Sequence, residues 1–364
     1  MSTTDLGHEH AVPELETHSE VLDAGEEQAA RRAPAVRRDR RRNLLIGVTL
    51  AFVGYLIVFG PPSGREIVLM WVLAWLFAVV GGSWALFRRV VLRDWMPLIA
   101  VLFVYDFLRG QVERMPWSDS LPLLQDNSFT PHLWHAHVLP VLRGDVDVFG
   151  QLPTAWLQHH LHPTDAFHWY DYALAVVYMS HFIVPLLVAL LLWTRSYHAF
   201  HRYVATLTTL SVMGLATYLT FPAAPPWLAS VNGWTTPGVQ RLMGEALKSA
   251  GSTPARSVIE RGEAWSNPVA AMPSLHAAMP MMILLFFWGA ARWWMRGLLA
   301  LYTLAMGFAL VYGGEHYVID IVFGWAYAAL AWLAVRRVVA WRRRRASARQ
   351  AVSTVPIAAA PVPG

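Results

Sequence analysis

The sequence predicts an all-α fold, a polytopic transmembrane helical bundle of about eight spans, and three observations carry that prediction. Hydrophobic residues fill 55% of the 364 positions and charged residues only 15%, a balance too apolar for a soluble domain of this length. The apolar residues are gathered into runs near the length of roughly 20 residues that a helix needs to cross the hydrocarbon. When those runs are threaded back and forth, the arginine clusters all fall on one side. The 18 tryptophans agree, since indole rings favour the boundary between hydrocarbon and headgroups.

Residues 1–43 begin acidic ("HEHAVPELETHSEVLDAGEE") and end basic ("RRAPAVRRDRRR"), with no apolar period to offset the entropy of ordering, which predicts a disordered cytoplasmic tail. The first apolar run starts far from Met1 and no small-residue cleavage site follows it, so it is expected to remain as an anchor. Spans at 44–60, 66–87 and 95–110 make an N-terminal transmembrane unit, 44–110. The third carries Asp106 and Arg109 near its end, yet omitting it would break the charge alternation. With it, "RRDRRR", Arg88, Arg89, Arg93, Arg195, Arg202, Arg292, Arg296 and "RRVVAWRRRR" share the cytoplasmic face.

Residues 111–171 form an external segment too long for an idle loop, and "FGQLP" and "WLQHHLHP" suggest short interfacial helices within it. Five further spans, 172–194, 202–221, 275–291, 296–313 and 317–338, fill a core at 172–338, interrupted by an external segment at 222–274 and the short turn "GGEH". Residues 339–364 read as a basic, flexible cytoplasmic tail. This threading puts both termini in the cytoplasm and the protein in the cell membrane.

Composition also excludes chemistries. The chain has no cysteine, so disulfides, thiolate metal sites and cysteine nucleophiles are absent. The net charge of +5 does not indicate nucleic acid, because the arginines flank apolar runs where they set topology.

The last span opens with "GGEHYVIDIVFGW". Spacing four puts His316 and Asp320 on one helical face, so the carboxylate can orient the imidazole. In water this would pass for a capping histidine and a locally paired aspartate; an ionisable residue a turn inside a membrane helix is costly and usually functional, so both readings stand on this motif alone. "AMPSLHAAMP" places His276 on the same external side. There Pro273 and Ser274 read as a helix start whose first-turn amides and dipole suit an anion such as phosphate.

Together "PSLH" and "HYVID" resemble the type 2 phosphatidic acid phosphatase superfamily, in which P-S-G-H and S-R-x5-H-x3-D lie on neighbouring helices. "FPAAPPW" at 221–227 resembles the proline-bearing end of the first motif, K-x6-R-P, and "YDFLRG" is similar to bacterial members. The likeness covers roughly 172–338 and is nearest the branch that includes inositol phosphorylceramide synthases. It implies His316 as the nucleophile that becomes phosphohistidine, Asp320 as its orienting carboxylate, and His276 as proton donor to the leaving alkoxide. Ser274, with Pro273 before it, would bind phosphoryl oxygens, and no metal or cofactor is implied.

Departures matter as much. Ala309 and Leu310 stand where the family has serine and arginine, and Gly214 and Phe221 where it has lysine and arginine. A monoester dianion would need more positive charge than this, whereas a phosphodiester carries one negative charge. Arg109, Arg114, Arg256 and Arg261 are the external cations available as replacements. Tyr178 and His181 in "YMSHF" are placed to line the pocket, although a histidine bonded to a neighbouring helix accounts for His181 as well. His132, His135 and His137, and His159, His160 and His162, are read as solvated interfacial residues because no matching metal-binding motif surrounds them. Asp145 and Asp147 are read as caps or turn residues.

The expectation is a membrane phosphotransferase that meets membrane lipids and a phospholipid or lipid-phosphate substrate at the extracytoplasmic face. The alternatives are a lipid phosphate or polyprenyl pyrophosphate phosphatase, and a non-catalytic lipid-binding protein or transporter. The head group, the acceptor and the oligomeric state have no signature in the sequence.

Overall fold

The structure, a computed structural model, describes residues 38–60, 62, 65–101, 103–104, 134–164, 166–235, 238–250, 256, 260 and 269–353. Helices α1 (Arg38–Phe59) and α2 (Arg65–Val79) pack through Phe52, Tyr55 and Trp71. Helix α3 (Trp84–Val90) passes through a π-helical turn, Val91–Trp95, into helix that continues to residue 101. Asp94 is buried in that turn and accepts hydrogen bonds from Trp193 Nε1 and Tyr197 Oη, both at 2.9 Å. Those two bonds tie the N-terminal helices to the rest of the bundle.

Two short helices, α4 (Trp134–Phe149) and α5 (Pro153–Leu161), occupy the part of the predicted interfacial segment that is described. Helices α6 (Trp169–Arg195) and α7 (Tyr197–Thr220) follow, with short α8 (Pro226–Val231) and α9 (Leu242–Ala250) in the next connection. Helices α10 (Leu275–Phe287), α11 (Trp293–Tyr312) and α12 (Val318–Ser353) complete the chain. Ser196 starts α7 and Ser274 starts α10, each accepting from a backbone N–H three residues on, the usual way a serine satisfies a helix's open first turn.

Among the described residues, five helices are long and apolar enough to cross a membrane: α1, α6, α7, α11 and the first 30 residues of α12. The predicted all-α, multi-pass bundle therefore stands, with differences in detail. Two expected spans are shorter than a membrane is thick. Helix α2 stops at Val79, where Gly81 and Gly82 adopt φ of +70° and +73°, a left-handed conformation that ends helices. Helix α10, at 13 residues, rises only about 20 Å. It is the hub of the bundle, packed on by α6, α7, α11 and α12. The predicted span at 95–110 is described only to residue 104, and Arg109 lies outside the described residues.

Two further differences concern the predicted tails. Helix α1 already includes Arg38–Arg42, and α12 runs past 338 to Ser353, carrying the basic residues expected to be flexible. Arginine is a good helix former, and the Arg336 and Arg345 guanidinium groups stack over Trp332 and Trp341 four residues earlier, at 4.4 and 4.0 Å from the ring centroids.

Candidate active site

The site is built on the turn between α11 and α12. Gly313, Glu315 and His316 amides donate to Ala309, Leu310 and again Leu310 carbonyls, at 2.8, 3.0 and 3.2 Å. Gly314 has φ +76°, and a Cβ there would lie 2.4 Å from the Gln240 carbonyl oxygen, so conformation and space both demand glycine. The turn's own carbonyls are claimed from the connection before α10: Leu242 N donates to Gly313 and Trp227 N to Gly314, each at 3.1 Å. Gln158 on α5 donates to the Tyr312 and Gln240 carbonyls at 2.8 and 2.9 Å and accepts from Gln240 N at 2.8 Å. Arg241 donates through Nε to Glu315 at 2.8 Å and lies over the Trp227 ring. Three distant stretches of chain thus clamp residues 312–315, which lead into His316.

The first turn of α12 is held by carboxylates. Tyr317 N donates to Asp320 Oδ2 at 2.9 Å, while Val318 N and Ile319 N donate to the two oxygens of Asp145 at 2.8 and 2.9 Å. Asp145 comes from α4 and is 1% exposed. Gly144 permits the approach, since a Cβ there would sit 2.7 Å from Ile319 Cδ1. Burial pushes the Asp145 carboxyl pKa up, against the lowering effect of its two backbone donors. His316 Nδ1 lies 3.4 Å from Asp320 Oδ2, the pair that spacing four anticipated, and both are buried.

Helix α10 is pressed against this turn. Ser274 N donates to the Asp320 carbonyl at 3.0 Å, which joins the two predicted motifs directly. Gly324, one turn beyond Asp320, makes room: a Cβ there would lie 2.3 Å from the Ser274 carbonyl oxygen. The Met272–Pro273 peptide is cis, and the Pro273 carbonyl accepts from Tyr218 Oη at 2.7 Å. Upstream, "FPAAPPW" pairs with the approach to "PSLH" through Ala223 N to Val269 O and Ala271 N to Ala223 O, at 2.8 and 3.1 Å.

This framework turns His276 toward His316, with ring centroids 5.6 Å apart. His181 packs on His276 with ring centroids 3.7 Å apart, and Tyr178 stacks on it at 5.2 Å and 12°. His181 Nδ1 lies 2.9 Å from the Tyr178 carbonyl of its own helix. His316, Asp320, His276, Tyr178 and His181 are therefore brought together from α6, α10, α12 and the turn before α12. Ser274 and Pro273 are buried behind them with internal partners, Ser274 Oγ accepting from Ala277 N at 3.3 Å. Two imidazoles and a carboxylate meeting at two helix starts can exchange protons and receive an anion.

The positions that depart from the family pattern are packed, not vacant. Ala309 and Leu310 are wholly buried, Gly214 touches Leu275, and Phe221 closes the end of α7. Of the candidate replacement arginines, Arg256 reaches the Lys248 carbonyl, and Arg109, Arg114 and Arg261 lie outside the described residues. Sequence reading missed Asp145 as the cap of a helix 173 residues away, and the Gln158 and Arg241 clamps. The one local signal was the glycine beside Asp145.

Comparison with known proteins follows the same boundaries. A curated relative, the phosphoinositol dihydroceramide synthase of Bacteroides thetaiotaomicron, is 30% identical over 174 residues, 46% of this chain. The match spans only 56% of that relative's length. No solved structure matches the chain. The family profile described as PAP2 superfamily matches residues 150–334, from α5 through the membrane part of α12. With half of its length matched, and both histidine motifs inside the match, the chain belongs to the PAP2 superfamily.

Proposed function

We propose that the protein is an integral membrane lipid phosphotransferase, inositolphosphotransferase-like, that acts on a phospholipid-type donor at the extracytoplasmic face through a phosphohistidine. The observation that carries this reading is the facing pair His276 and His316, 5.6 Å between ring centroids, with Asp320 behind His316. In the first step a ring nitrogen of His316 attacks phosphorus, the bond from phosphorus to the lipid alkoxide breaks, and protonated His276 gives that oxygen its proton. In the second, an acceptor hydroxyl gives its proton to His276 and attacks phosphorus, releasing His316. Asp320 orients His316, and the Ser274 hydroxyl, whose lone pair already holds Ala277 N, keeps its hydrogen for a phosphoryl oxygen. Tyr178 and His181 form the wall behind His276.

Three findings support this reading, two for a diester donor and one for the face. The curated relative's name specifies phosphoinositol and a dihydroceramide. Buried Leu310 occupies the position where the family pattern carries an arginine, which a monoester dianion would need more than a diester. The arginine pattern puts "GGEH" opposite the basic clusters. A lipid phosphate phosphatase would use the same residues with water as acceptor. Purified protein supplied with inositol-labelled phosphatidylinositol and ceramide should form labelled phosphoinositol-ceramide. His316→Ala should lower that rate by about 10⁴-fold or more while the protein still folds. Full activity in His316→Ala rejects the mechanism, and inorganic phosphate released from phosphatidic acid favours the phosphatase.

A further inference from the structure

A second cluster of titratable side chains stands apart from the histidine pair, at the junction of α5 and α6. His162, His168 and Asp171 each bring one ligand-type atom to within 4.8 Å of the other two. His162 Nδ1 lies 3.8 Å and His168 Nδ1 3.7 Å from the same oxygen, Asp171 Oδ2. Both distances exceed a hydrogen bond; His168 and Asp171 also face each other in the capping box that starts α6, whereas His162 reaches the carboxylate from outside that helix. The two distances are close to the separation of about 3.3 Å between two ligands on a tetrahedral metal ion.

Burial points the same way. The His162 side chain is 3% exposed and its Nδ1 has no hydrogen-bond partner, a polar atom aimed at the carboxylate without reaching it. Asp171 is wholly buried and oriented from behind: Oδ2 accepts from His168 N at 2.7 Å, and Oδ1 accepts from Tyr312 Oη at 2.5 Å. Such outer partners are what fix a ligating carboxylate. The loop is closed by Tyr170, whose hydroxyl donates to the Leu161 carbonyl. His168, 44% exposed on its side chain, leaves an open side for water as a further ligand.

We propose that His162, His168 and Asp171 bind a divalent transition metal of the zinc class. Two imidazoles and one carboxylate are a borderline donor set suited to zinc. His159 and His160, adjacent in sequence, are exposed and take no part, with His160 Nδ1 2.8 Å from the Trp156 carbonyl. The metal braces the support of the catalytic turn, because α5 also carries Gln158, which holds Tyr312 and Gln240, and Tyr312 is the last residue of α11.

The test uses the full chain in detergent, stripped with chelator, dialysed and titrated with zinc chloride, with retained zinc measured by elemental analysis. Wild type should retain about one equivalent and melt at a higher temperature with zinc than without. His162→Ala and His168→Ala should weaken zinc binding by at least about 100-fold, since losing a ligand exceeds the roughly 10–100-fold cost of losing an outer partner. Tyr312→Phe, which removes only such a partner, should weaken it by about 10-fold. The double variant His159→Ala/His160→Ala should bind as wild type does. His168 is exposed, so its variant should melt like metal-free wild type and keeps the test valid if His162→Ala fails to fold. Failure of wild type to retain zinc, or unchanged retention in His168→Ala, overturns the site.

Discussion

Asp145→Asn tests how the proposed catalytic turn is held. The native carboxylate accepts from Val318 N and Ile319 N at 2.8 and 2.9 Å, one bond to each oxygen. Asparagine keeps one acceptor and turns an amide N–H₂ toward the other backbone donor. One hydrogen bond to a charged group, about 1.5–3 kcal/mol, is lost and a buried N–H is left unsatisfied. Burial of the carboxylate already costs part of that gain, as its raised pKa records, so the net loss should be about 1–3 kcal/mol. Val318 and Ile319 follow His316 by two and three residues, so loosening them moves the imidazole. A displacement near 1 Å lowers turnover by about 100-fold. Melting in detergent and turnover at saturating donor should both fall, while Asp147→Asn, exposed on the same helix, changes neither. If the two variants behave alike, Asp145 does not position the turn. The pH dependence has a defined sign. A carboxyl whose folded pKa is raised above 3.8 favours the protonated folded state, so its contribution is full below 3.8 and is lost as pH rises through the folded pKa. The stability advantage of wild type over Asp145→Asn should therefore shrink with rising pH across that window.

Two other outcomes follow from the same geometry. His276→Ala should slow donors with poor leaving groups more than donors with good ones, measured as the ratio of turnover on natural lipid and activated aryl phosphodiesters; equal losses would remove its role as acid. Gly324→Ala puts a methyl group 2.3 Å from the Ser274 carbonyl and should destabilise by about 1–3 kcal/mol and reduce turnover, whereas Gly297→Ala, facing open space, should be neutral or stabilising; a stable, active Gly324→Ala would mean that α10 and α12 need not touch there.

Much of the helical framework was legible because the bilayer imposes a length and a polarity on each span, and those are properties of consecutive residues. Helices α6, α7, α11 and α12 lie where apolar runs predicted them. Their ends were less legible: the glycines at 81 and 82 stop α2 early, and arginines stacked on tryptophans carry α12 beyond its apolar part. His316 and Asp320 were legible as a pair because helical spacing alone makes them neighbours.

What joins those local pairs into a site has no local signature. The meeting of His276 with His316, the Ser274 amide on the Asp320 carbonyl, the Asp145 cap and the Arg241 and Gln158 clamps all link residues more than 30 positions apart. His162, read as solvated for want of a metal-binding motif, faces Asp171 across a loop. A membrane-spanning helical protein with two histidine motifs follows from the order of residues, because hydropathy and helical period act along the chain. Only the tertiary structure decided which donors meet which acceptors, because buried amides and carboxylates take the partners that packing brings to them, whatever their separation in sequence.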